Sequence, residues 1–190
     1  MFIYKNNYYL YIEDIKTLNL NLIKKRNKFA IIYRNNIKHK DINQLKKFSY
    51  ECKKRSIQFF IANDLHLAIK CKADGLYLSS YNKKHYKISP IANSLKIIGS
   101  AHSAKEIQEK KNQGCKTIFL SRLFRTSYKN KKSYLGVMKF NLVAIGLKEK
   151  LVPLGGIRYN NLSLLNLVRS NSFAVLSEIK KKPAIIRRLF

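Results

Sequence analysis

Eight short apolar runs recur along the whole chain, and their spacing constrains the fold more than any other feature of the sequence. Each run is rich in β-branched or aromatic residues and has polar or turn residues at its borders, which is typical of a buried strand. The runs occupy residues 8–12, 29–33, 57–61, 75–78, 95–100, 116–120, 150–154 and 173–177. The sequence therefore predicts eight strands.

Segments with helical spacing lie between these runs, at residues 41–54, 64–72, 103–113 and 160–169, with a last short one at 181–190. Asp41 is placed to cap the first of them. Ser103 and Glu106 have the spacing of a capping box, and Gly114 stands where a helix C-cap belongs. Strands that alternate with helices indicate a parallel α/β architecture.

Closure of these units predicts a compact (β/α)₈ TIM barrel, with residues 1–190 forming a single domain. The alternative is an open doubly wound sheet. No Gly-x-Gly-x-x-Gly follows the first run, which weakens a dinucleotide-binding interpretation. The chain of 190 residues is shorter than the roughly 200–250 residues typical of such barrels. Residues 121–149 form the longest interval and are polar and basic, so we expect a mobile loop over an active site there.

The charge of the chain is strongly positive, with 39 Lys and Arg against 10 Asp and Glu and a formal net charge of +29. Such an excess usually indicates nucleic acid or an anionic surface as partner. Lys, Asn, Ile and Tyr are all abundant, and AT-rich codons would inflate all four together. The basic residues are spread along the chain without a nucleic-acid-binding motif, which disfavours a nucleic-acid partner. The 46% hydrophobic content excludes a disordered basic tail.

The cellular location follows from two further absences in the sequence. No apolar run approaches the roughly 20 residues that span a bilayer, and the first residues show no cleavage site of a signal peptide. The cysteines Cys52, Cys71 and Cys115 lack motif spacing, which is typical of reduced thiols and not of a disulfide framework or a zinc site. We therefore expect a cytoplasmic protein with no membrane partner.

In a parallel barrel, ligands bind where the strands end, and phosphate is commonly held after strands seven and eight. Gly155 and Gly156 follow the seventh run, and Ser177 ends the eighth. Consecutive glycines let backbone N–H groups approach an anion, and a serine hydroxyl can donate to it. A tight strand-to-helix turn explains the two glycines equally well, so both interpretations stay open.

Other strand ends also carry polar side chains. Asp64, after the third run, either ligates Mg²⁺ or caps the next helix. Ser100 and His102, at the fifth, could bind an oxyanion or move a proton; a helix cap at Ser103 with His102 exposed is the alternative. Arg34 follows the second run, on the face where such barrels bind ligands.

The segment after the sixth run is basic. It contains Arg122, Arg125, Thr126 and Lys129, which are suited to a polyphosphate because arginine binds it bidentately and lysine acts as a point charge. A solvated basic loop is the alternative in a chain that is basic throughout.

Taken in order, these segments resemble the thiamine phosphate synthase and TenI superfamily over nearly the whole chain. Residues 9–14 look like its opening strand, and residues 61–64, 67–68 and 73–78 like its IND…LA…ADGVHLG stretch. Residues 98–103 are similar to GVSAHS, and residues 119–126 to LSPVFPT, with Leu135-Gly136 after it. Residues 154–157 and 174–177 resemble the two phosphate loops. Each motif is weak alone, and their order and spacing make the resemblance specific.

The resemblance implies a (β/α)₈ barrel that joins hydroxymethylpyrimidine diphosphate to thiazole phosphate, releasing pyrophosphate and giving thiamine phosphate, with Mg²⁺ as cofactor. Its partners would be small phosphorylated substrates. By position, it implies that the diphosphate is held by Arg34, Asn63, Ser100, Thr126 and Lys129, and the thiazole phosphate by Gly155, Gly156, Leu176 and Ser177. Asp64 would ligate Mg²⁺, and Ser100, His102 and Lys129 would be catalytic.

The chain also departs from the family pattern. In the Gln-x-Arg-x-Lys signature only Arg34 is present, with Ile32 and Asn36 at the flanking positions. Asn82 lies near the position of a second aspartate that binds Mg²⁺, and its neutral amide would weaken that binding. Arg122 and Arg125 stand where the family has prolines, and they could supply some of the missing positive charge.

Three functions remain open from the sequence. The first is synthase catalysis. The second is a TenI-like thiazole tautomerase, or a diverged phosphate-binding relative, in which His102 would align with the proton-moving residue. The third, from another class, is nucleic-acid binding driven by charge, which requires basic residues concentrated on one face.

Overall fold

The computed structural model describes residues 7–23, 26–35, 41–86, 95–126 and 133–175. Its strands are β1 (Asn7–Ile12), β2 (Phe29–Tyr33), β3 (Gln58–Ala62), β4 (Gly75–Leu78), β5 (Lys96–Ala101), β6 (Thr117–Ser121), β7 (Lys150–Leu154) and β8 (Ser172–Val175). They pair in sequence order, all parallel, into a closed barrel. The predicted (β/α)₈ barrel is confirmed, and each strand lies within a residue or two of its apolar run because those runs are buried on both faces.

The helices that surround the barrel are α1 (Ile42–Lys54), α2 (Leu65–Lys70), α3 (Ala104–Asn112) and α4 (Gly136–Ile145). The Asp41 carboxylate accepts from the N–H groups of Asn43 and Gln44, which confirms the predicted cap of α1. Segments of 3₁₀ helix occur at Ile15–Thr17, Leu20–Leu22, Arg26–Lys28 and Tyr159–Leu167. Within the described ranges, no helix has the length and apolar character needed to cross a membrane.

Two packed layers stabilise the barrel. Outward-facing strand residues pack under the helices, and inward-facing residues fill the barrel itself. The inner cluster is aromatic: Tyr9 lies edge-on to Phe119 at 4.8 Å between ring centroids, and Tyr11 edge-on to Tyr77 at 5.4 Å. Such pairs add about 0.5–1.5 kcal/mol each beyond burial of their area. The barrel is therefore a packed core, with room for ligands only at its ends.

Register pairing is uneven around the barrel. Strand β8 shares four register pairs with β1, whereas within the described residues it shares a single pair with β7, between Leu154 and Ala174. Strand β7 also contains Pro153, which has no backbone N–H to donate to a neighbour.

Two predicted elements differ from the structure. Helix α4 lies inside residues 121–149, where the sequence predicts a loop. The helix buries mainly Phe140 and leaves Met138 and Leu142 exposed, so its sequence has no clear apolar stripe from which a helix could be predicted. The helix predicted at 160–169 is instead the 3₁₀ segment Tyr159–Leu167. Asn161 donates to the Gly156 carbonyl at 2.8 Å, and Asn141 donates to that of Leu167 at 2.8 Å, so both ends of the segment are held by side chains.

Candidate active site

The carboxyl ends of the strands meet at one rim of the barrel, and the described candidate residues all lie there. They are Arg34 after β2, Asn63 and Asp64 after β3, Ser100 in β5 and His102 just after it, Thr126 after β6, and Gly155 and Gly156 after β7. Lys129, Leu176 and Ser177 lie outside the described residues, as does Asn36.

Asn63 forms the corner between β3 and the loop that follows β4. Its side-chain oxygen accepts from the Ser79 N–H at 2.9 Å, the Ser79 hydroxyl at 3.0 Å and the Asn82 amide at 3.0 Å. Its backbone adopts a φ of 59°, a left-handed conformation that asparagine tolerates better than most residues. The amide of Asn63 is therefore used to join two strand ends.

Asp64 caps α2. Its Oδ1 accepts from the Leu67 N–H at 2.9 Å, which confirms the capping interpretation of this residue. A cap uses one carboxylate oxygen, so the cap and a metal ligand are compatible roles for the same side chain.

Asn82 is turned inward onto its own loop. Its side-chain N–H groups donate to Asn63 Oδ1 and to the Tyr86 hydroxyl at 3.1 Å, and its Oδ1 accepts from the Lys84 N–H at 2.9 Å. Its backbone carbonyl accepts from Lys110 Nζ at 2.7 Å. The side chain is 9% exposed, and all of its polar atoms are engaged in holding the loop.

The side chains present at the rim determine which oxygen ligands a Mg²⁺ ion could have there. The described ranges contain no cluster of three or more His, Cys, Asp or Glu side chains that could hold a metal. Magnesium can nevertheless be bound by one carboxylate together with substrate phosphates and water. Asp64 fits that arrangement better than Asn82, whose oxygen carries no charge and accepts from the Lys84 N–H.

Two buried tyrosines lie under the rim. The Tyr77 hydroxyl donates to Ser100 Oγ at 2.8 Å, which leaves the Ser100 proton available to a ligand. Burial raises the pKa of Tyr77, while its hydrogen bond to Ser100 and the nearby charge of Arg34 act in the opposite direction. Tyr11 packs edge-on to Tyr77, and its hydroxyl makes no hydrogen bond of good geometry within the described residues. Burial raises the pKa of Tyr11 well above its ordinary value, so its hydroxyl stays protonated.

His102 pairs with the next strand. Its Nδ1 lies 2.8 Å from Ser121 Oγ at the end of β6, while its backbone N–H donates to Glu106 Oε2 at 2.7 Å. Ser103 accepts from the Glu106 N–H at 3.2 Å, so the predicted cap of α3 is confirmed. The imidazole is exposed, and with Nδ1 engaged, Nε2 is the ring atom at which it can exchange a proton with a ligand.

The loop after β6 packs on the two glycines after β7. Gly155 and Gly156 have φ values of 93° and 71°, and the Phe124 N–H donates to the Gly155 carbonyl at 3.1 Å. A Cβ atom on Gly156 would lie 2.4 Å from the Phe124 carbonyl oxygen. The tight-turn interpretation of these glycines is therefore confirmed.

The same packing brings Arg122 to the double-glycine turn. A Cβ atom on Gly155 would lie 3.1 Å from Arg122 Cγ, and the Arg122 guanidinium donates to the Thr126 hydroxyl at 3.4 Å. A cation, a hydroxyl and a glycine backbone thus meet at one place, which is a combination suited to an anion.

Three residues at or near the rim, and Lys110 on α3, could not be predicted as part of the site from the sequence. Tyr11 lies two positions after Tyr9, an alternation that could have placed it inside the barrel, and Tyr77 lies within a family motif. Ser121 was included only as part of a basic loop. Lys110 gave no signal, because a lysine within a polar helix normally faces solvent.

Comparison with known proteins shows which family this chain resembles. A family model described as thiamine monophosphate synthase matches residues 10–179. The thiamine-phosphate synthase of Prochlorococcus marinus is 29% identical over 139 residues, which cover 73% of this chain and 40% of that protein. The thiamine-phosphate synthase of Clostridioides difficile is 28% identical over 143 residues, covering 72% of this chain and 66% of that protein. The chain thus spans less than half the length of the first of these relatives.

Solved structures agree on the fold. Thiamine phosphate pyrophosphorylase from Pyrococcus furiosus superposes with a TM-score of 0.69 at 18% identity, covering 98% of both chains. The YdjI aldolase from Escherichia coli reaches a TM-score of 0.68 at 8% identity, covering 96% of this chain and 80% of that one. At these identities the superpositions show the barrel alone. The family match extends over most of the chain, from the first strand to beyond the last, and on that ground this chain belongs to the thiamine monophosphate synthase family.

Proposed function

We propose that this chain joins hydroxymethylpyrimidine diphosphate to thiazole phosphate. The bond between the pyrimidine methylene carbon and the diphosphate oxygen would break, and the pyrophosphate would leave with the electron pair. The thiazole nitrogen would then give its lone pair to the carbocation, forming thiamine phosphate. Family membership supports the reaction class, and the arrangement of the rim supports the assignment of residues.

The observation that carries the proposal is the division of the rim into two polar sides above an aromatic floor. On one side are Asn63 and Asp64, and on the other Arg122 and Thr126 lie against the double-glycine turn. Two substrates that each carry phosphate need two such places, separated by a flat apolar surface for their rings. Ser100, on the floor, has a hydroxyl proton left to donate.

For the diphosphate we propose contacts from Arg34, Asn63, Ser100 and Lys129, with Thr126 reaching it from the side of the double-glycine turn. For the thiazole phosphate we propose contacts from Gly155, Gly156, Leu176 and Ser177. Positive charge and hydrogen-bond donors would act on the leaving pyrophosphate, where negative charge develops. Asp64 would hold Mg²⁺ together with the diphosphate oxygens, and the ion supplies further charge neutralisation there. Ser100, His102 and Lys129 would contact the reacting groups.

We propose a cytoplasmic location and a single barrel domain. Cys52, Cys71 and Cys115 are free and buried, as expected of a protein from a reducing compartment. The substrates would be small phosphorylated compounds, whose charge complements a chain of net charge +29.

A second function is favoured by the His102–Ser121 pair. An exposed imidazole whose Nδ1 is held at 2.8 Å from a serine hydroxyl is oriented to move a proton, as a thiazole phosphate tautomerase requires. That activity would use the thiazole phosphate side and would need no diphosphate.

One assay separates the two functions. The purified protein is given both substrates with Mg²⁺, and thiamine phosphate is measured by chromatography. Synthase activity predicts product that falls strongly in Asp64→Ala and in Arg34→Met. Lys47→Met, a surface change on α1, serves as a matched control. No product from the wild type, combined with turnover of the thiazole phosphate tautomer that is lost in His102→Gln, would refute the synthase and support the tautomerase.

A further inference from the structure

Lys110 is a lysine of α3 that has no contact with solvent. Its Nζ donates to the Asn82 carbonyl at 2.7 Å and to Gln113 Oε1 at 2.8 Å, both of which are neutral acceptors. Burial lowers the pKa of Lys110, although the nearby Cys115 and Glu109 act in the opposite direction. An ammonium group is costly to bury without a hydrogen-bonded carboxylate, so its presence in this place calls for a role.

Gln113, one helical turn after Lys110, donates hydrogen bonds to the same loop after β4. Its Nε2 donates to the Asn82 carbonyl and to the Lys84 carbonyl, at 2.9 Å in both cases. Two buried side chains of one helix region therefore hold two carbonyls of residues 79–86, which we call the β4 loop.

The β4 loop is in turn bonded to the Asn63 corner. Asn82 and Ser79 donate to Asn63 Oδ1, and the Tyr86 hydroxyl donates to the Asn63 carbonyl at 3.3 Å. Asn63 immediately precedes Asp64. A continuous path of hydrogen bonds thus leads from Lys110 to the side of the rim assigned to the diphosphate.

The stem of Lys110 also contacts β5. A Cβ atom on Gly99 would lie 2.9 Å from Lys110 Cδ, so a larger residue there would push the lysine away. Gly99 precedes Ser100, whose hydroxyl belongs to the floor of the site. One side chain therefore lies against the strand of Ser100 and, at its other end, reaches the loop that holds Asn63.

We propose that Lys110 and Gln113 are positioning residues for the diphosphate side of the site. They fix the β4 loop and, through Asn82, the Asn63 corner, without touching the substrate themselves. The inference rests on the proposed function for the identity of the ligand. The thiazole phosphate side, at the double-glycine turn, has no bond to this network among the contacts described above, so the two substrates should respond differently.

The test compares two neighbouring lysines. Lys110→Met keeps the length and apolar stem of the side chain and removes the amine. Lys111→Met is the matched control, since Lys111 is a partly exposed residue that pairs with Glu149 at 3.5 Å. We expect Lys110→Met to raise KM for the pyrimidine diphosphate by roughly 10- to 100-fold, because small displacements of substrate-holding groups cost that much. We expect KM for thiazole phosphate to change less than about twofold in the same variant.

Two further readouts keep the comparison informative. Amide exchange of residues 79–86 should speed up in Lys110→Met and not in Lys111→Met. Calorimetry with inorganic pyrophosphate and Mg²⁺ should show the same loss of affinity without any turnover. If Lys110→Met does not fold, Gln113→Leu carries the test, because it removes the Nε2 group that donates to the carbonyls of Asn82 and Lys84 and leaves the Lys110 bond to Asn82 as the remaining one.

The proposal is overturned if the diphosphate KM and loop exchange match those of Lys111→Met, or if both substrates weaken equally. It is also overturned if the wild type binds no pyrophosphate. If the wild type binds pyrophosphate with the expected dependence on Lys110 but makes no thiamine phosphate, the proposed function fails and the positioning role stands.

Discussion

Replacing Gly156 by alanine tests the packing of the β6 loop on the turn after β7. The new Cβ atom would lie 2.4 Å from the Phe124 carbonyl oxygen and 2.8 Å from that of Arg125. Both of these are backbone atoms, so the contact cannot be relieved by rotating a flexible side chain. One of the two loops has to move by about 1 Å to restore an ordinary contact distance.

The size of the effect follows from two contributions. Alanine at a φ of 71° costs roughly 1–2 kcal/mol, because the left-handed conformation brings Cβ close to the backbone. The clash adds about 1–3 kcal/mol, as in other overpacked sites. We therefore expect Gly156→Ala to lower the free energy of unfolding by roughly 2–5 kcal/mol in total.

Gly114→Ala supplies the matched control. Gly114 has a φ of 81°, and nothing lies within 4 Å of the Cβ that alanine would add. This variant carries the backbone cost alone, and any loss of flexibility in the unfolded chain is the same in both variants. Urea unfolding of the two proteins, followed by far-ultraviolet circular dichroism, gives the difference directly.

A second measurement links this packing to function. Because Arg122 lies against the same turn, moving the loop should also weaken binding of thiazole phosphate in Gly156→Ala and leave it unchanged in Gly114→Ala. Equal loss of stability in the two variants would refute the reasoning, since it would mean that the loop gives way to the extra carbon at no cost.

Other predictions concern buried groups and the rim. Burial raises the pKa of Cys52 and Cys115 from 9.0 to about 12, so the stability that the two protonated thiols provide is complete below pH 9 and declines above it. The loss is about 1.4 kcal/mol per thiol at pH 10. The urea midpoint should therefore fall less steeply between pH 8 and pH 10 when both cysteines are replaced by alanine, and identical slopes would contradict this. Tyr11→Phe should leave stability unchanged or raise it by up to about 1 kcal/mol, because its buried hydroxyl makes no hydrogen bond of good geometry among the described residues. Tyr77→Phe should lower stability by about 1 kcal/mol through loss of the bond to Ser100. Calorimetric melting that ranks the two variants the other way would be the contrary result. Arg34→Met should raise KM for the pyrimidine diphosphate roughly tenfold or more with little change for thiazole phosphate, and an unaltered ratio of the two constants would remove Arg34 from the site.

The barrel could be predicted from the sequence because its strands are buried on both faces. Runs such as Phe29–Tyr33 contain almost no polar residue, and burial of every position leaves little doubt about the element. Helix α1 was equally clear, since Asp41 caps it and its stripe is regular. Helix α4 was missed, because its first turn has no side-chain cap and its apolar residues surround the axis.

The position of the candidate site on the barrel could be predicted from the sequence, whereas the contacts within it could not. Strand ends are local features, and the places of Arg34, Asp64 and Ser100 at the rim could be predicted from them. The network from Asn63 through Asn82 to Lys110 joins residues 19 to 47 positions apart, and no local pattern in the chain contains it. The resemblance implies that Asn82 stands near a metal-ligand position of the family, and the structure adds that its amide holds the β4 loop.

The uneven register pairing of β8 with its two neighbours bears on how the barrel would open. Among the described residues, β7 shares one register pair with β8 and contains a proline, so this seam has fewer register pairs than the seams on either side of it. The two loops on either side of that seam are the ones assigned to the thiazole phosphate. An anion bound by both loops would hold β7 and β8 together, so part of its binding free energy would appear as a higher free energy of opening the barrel.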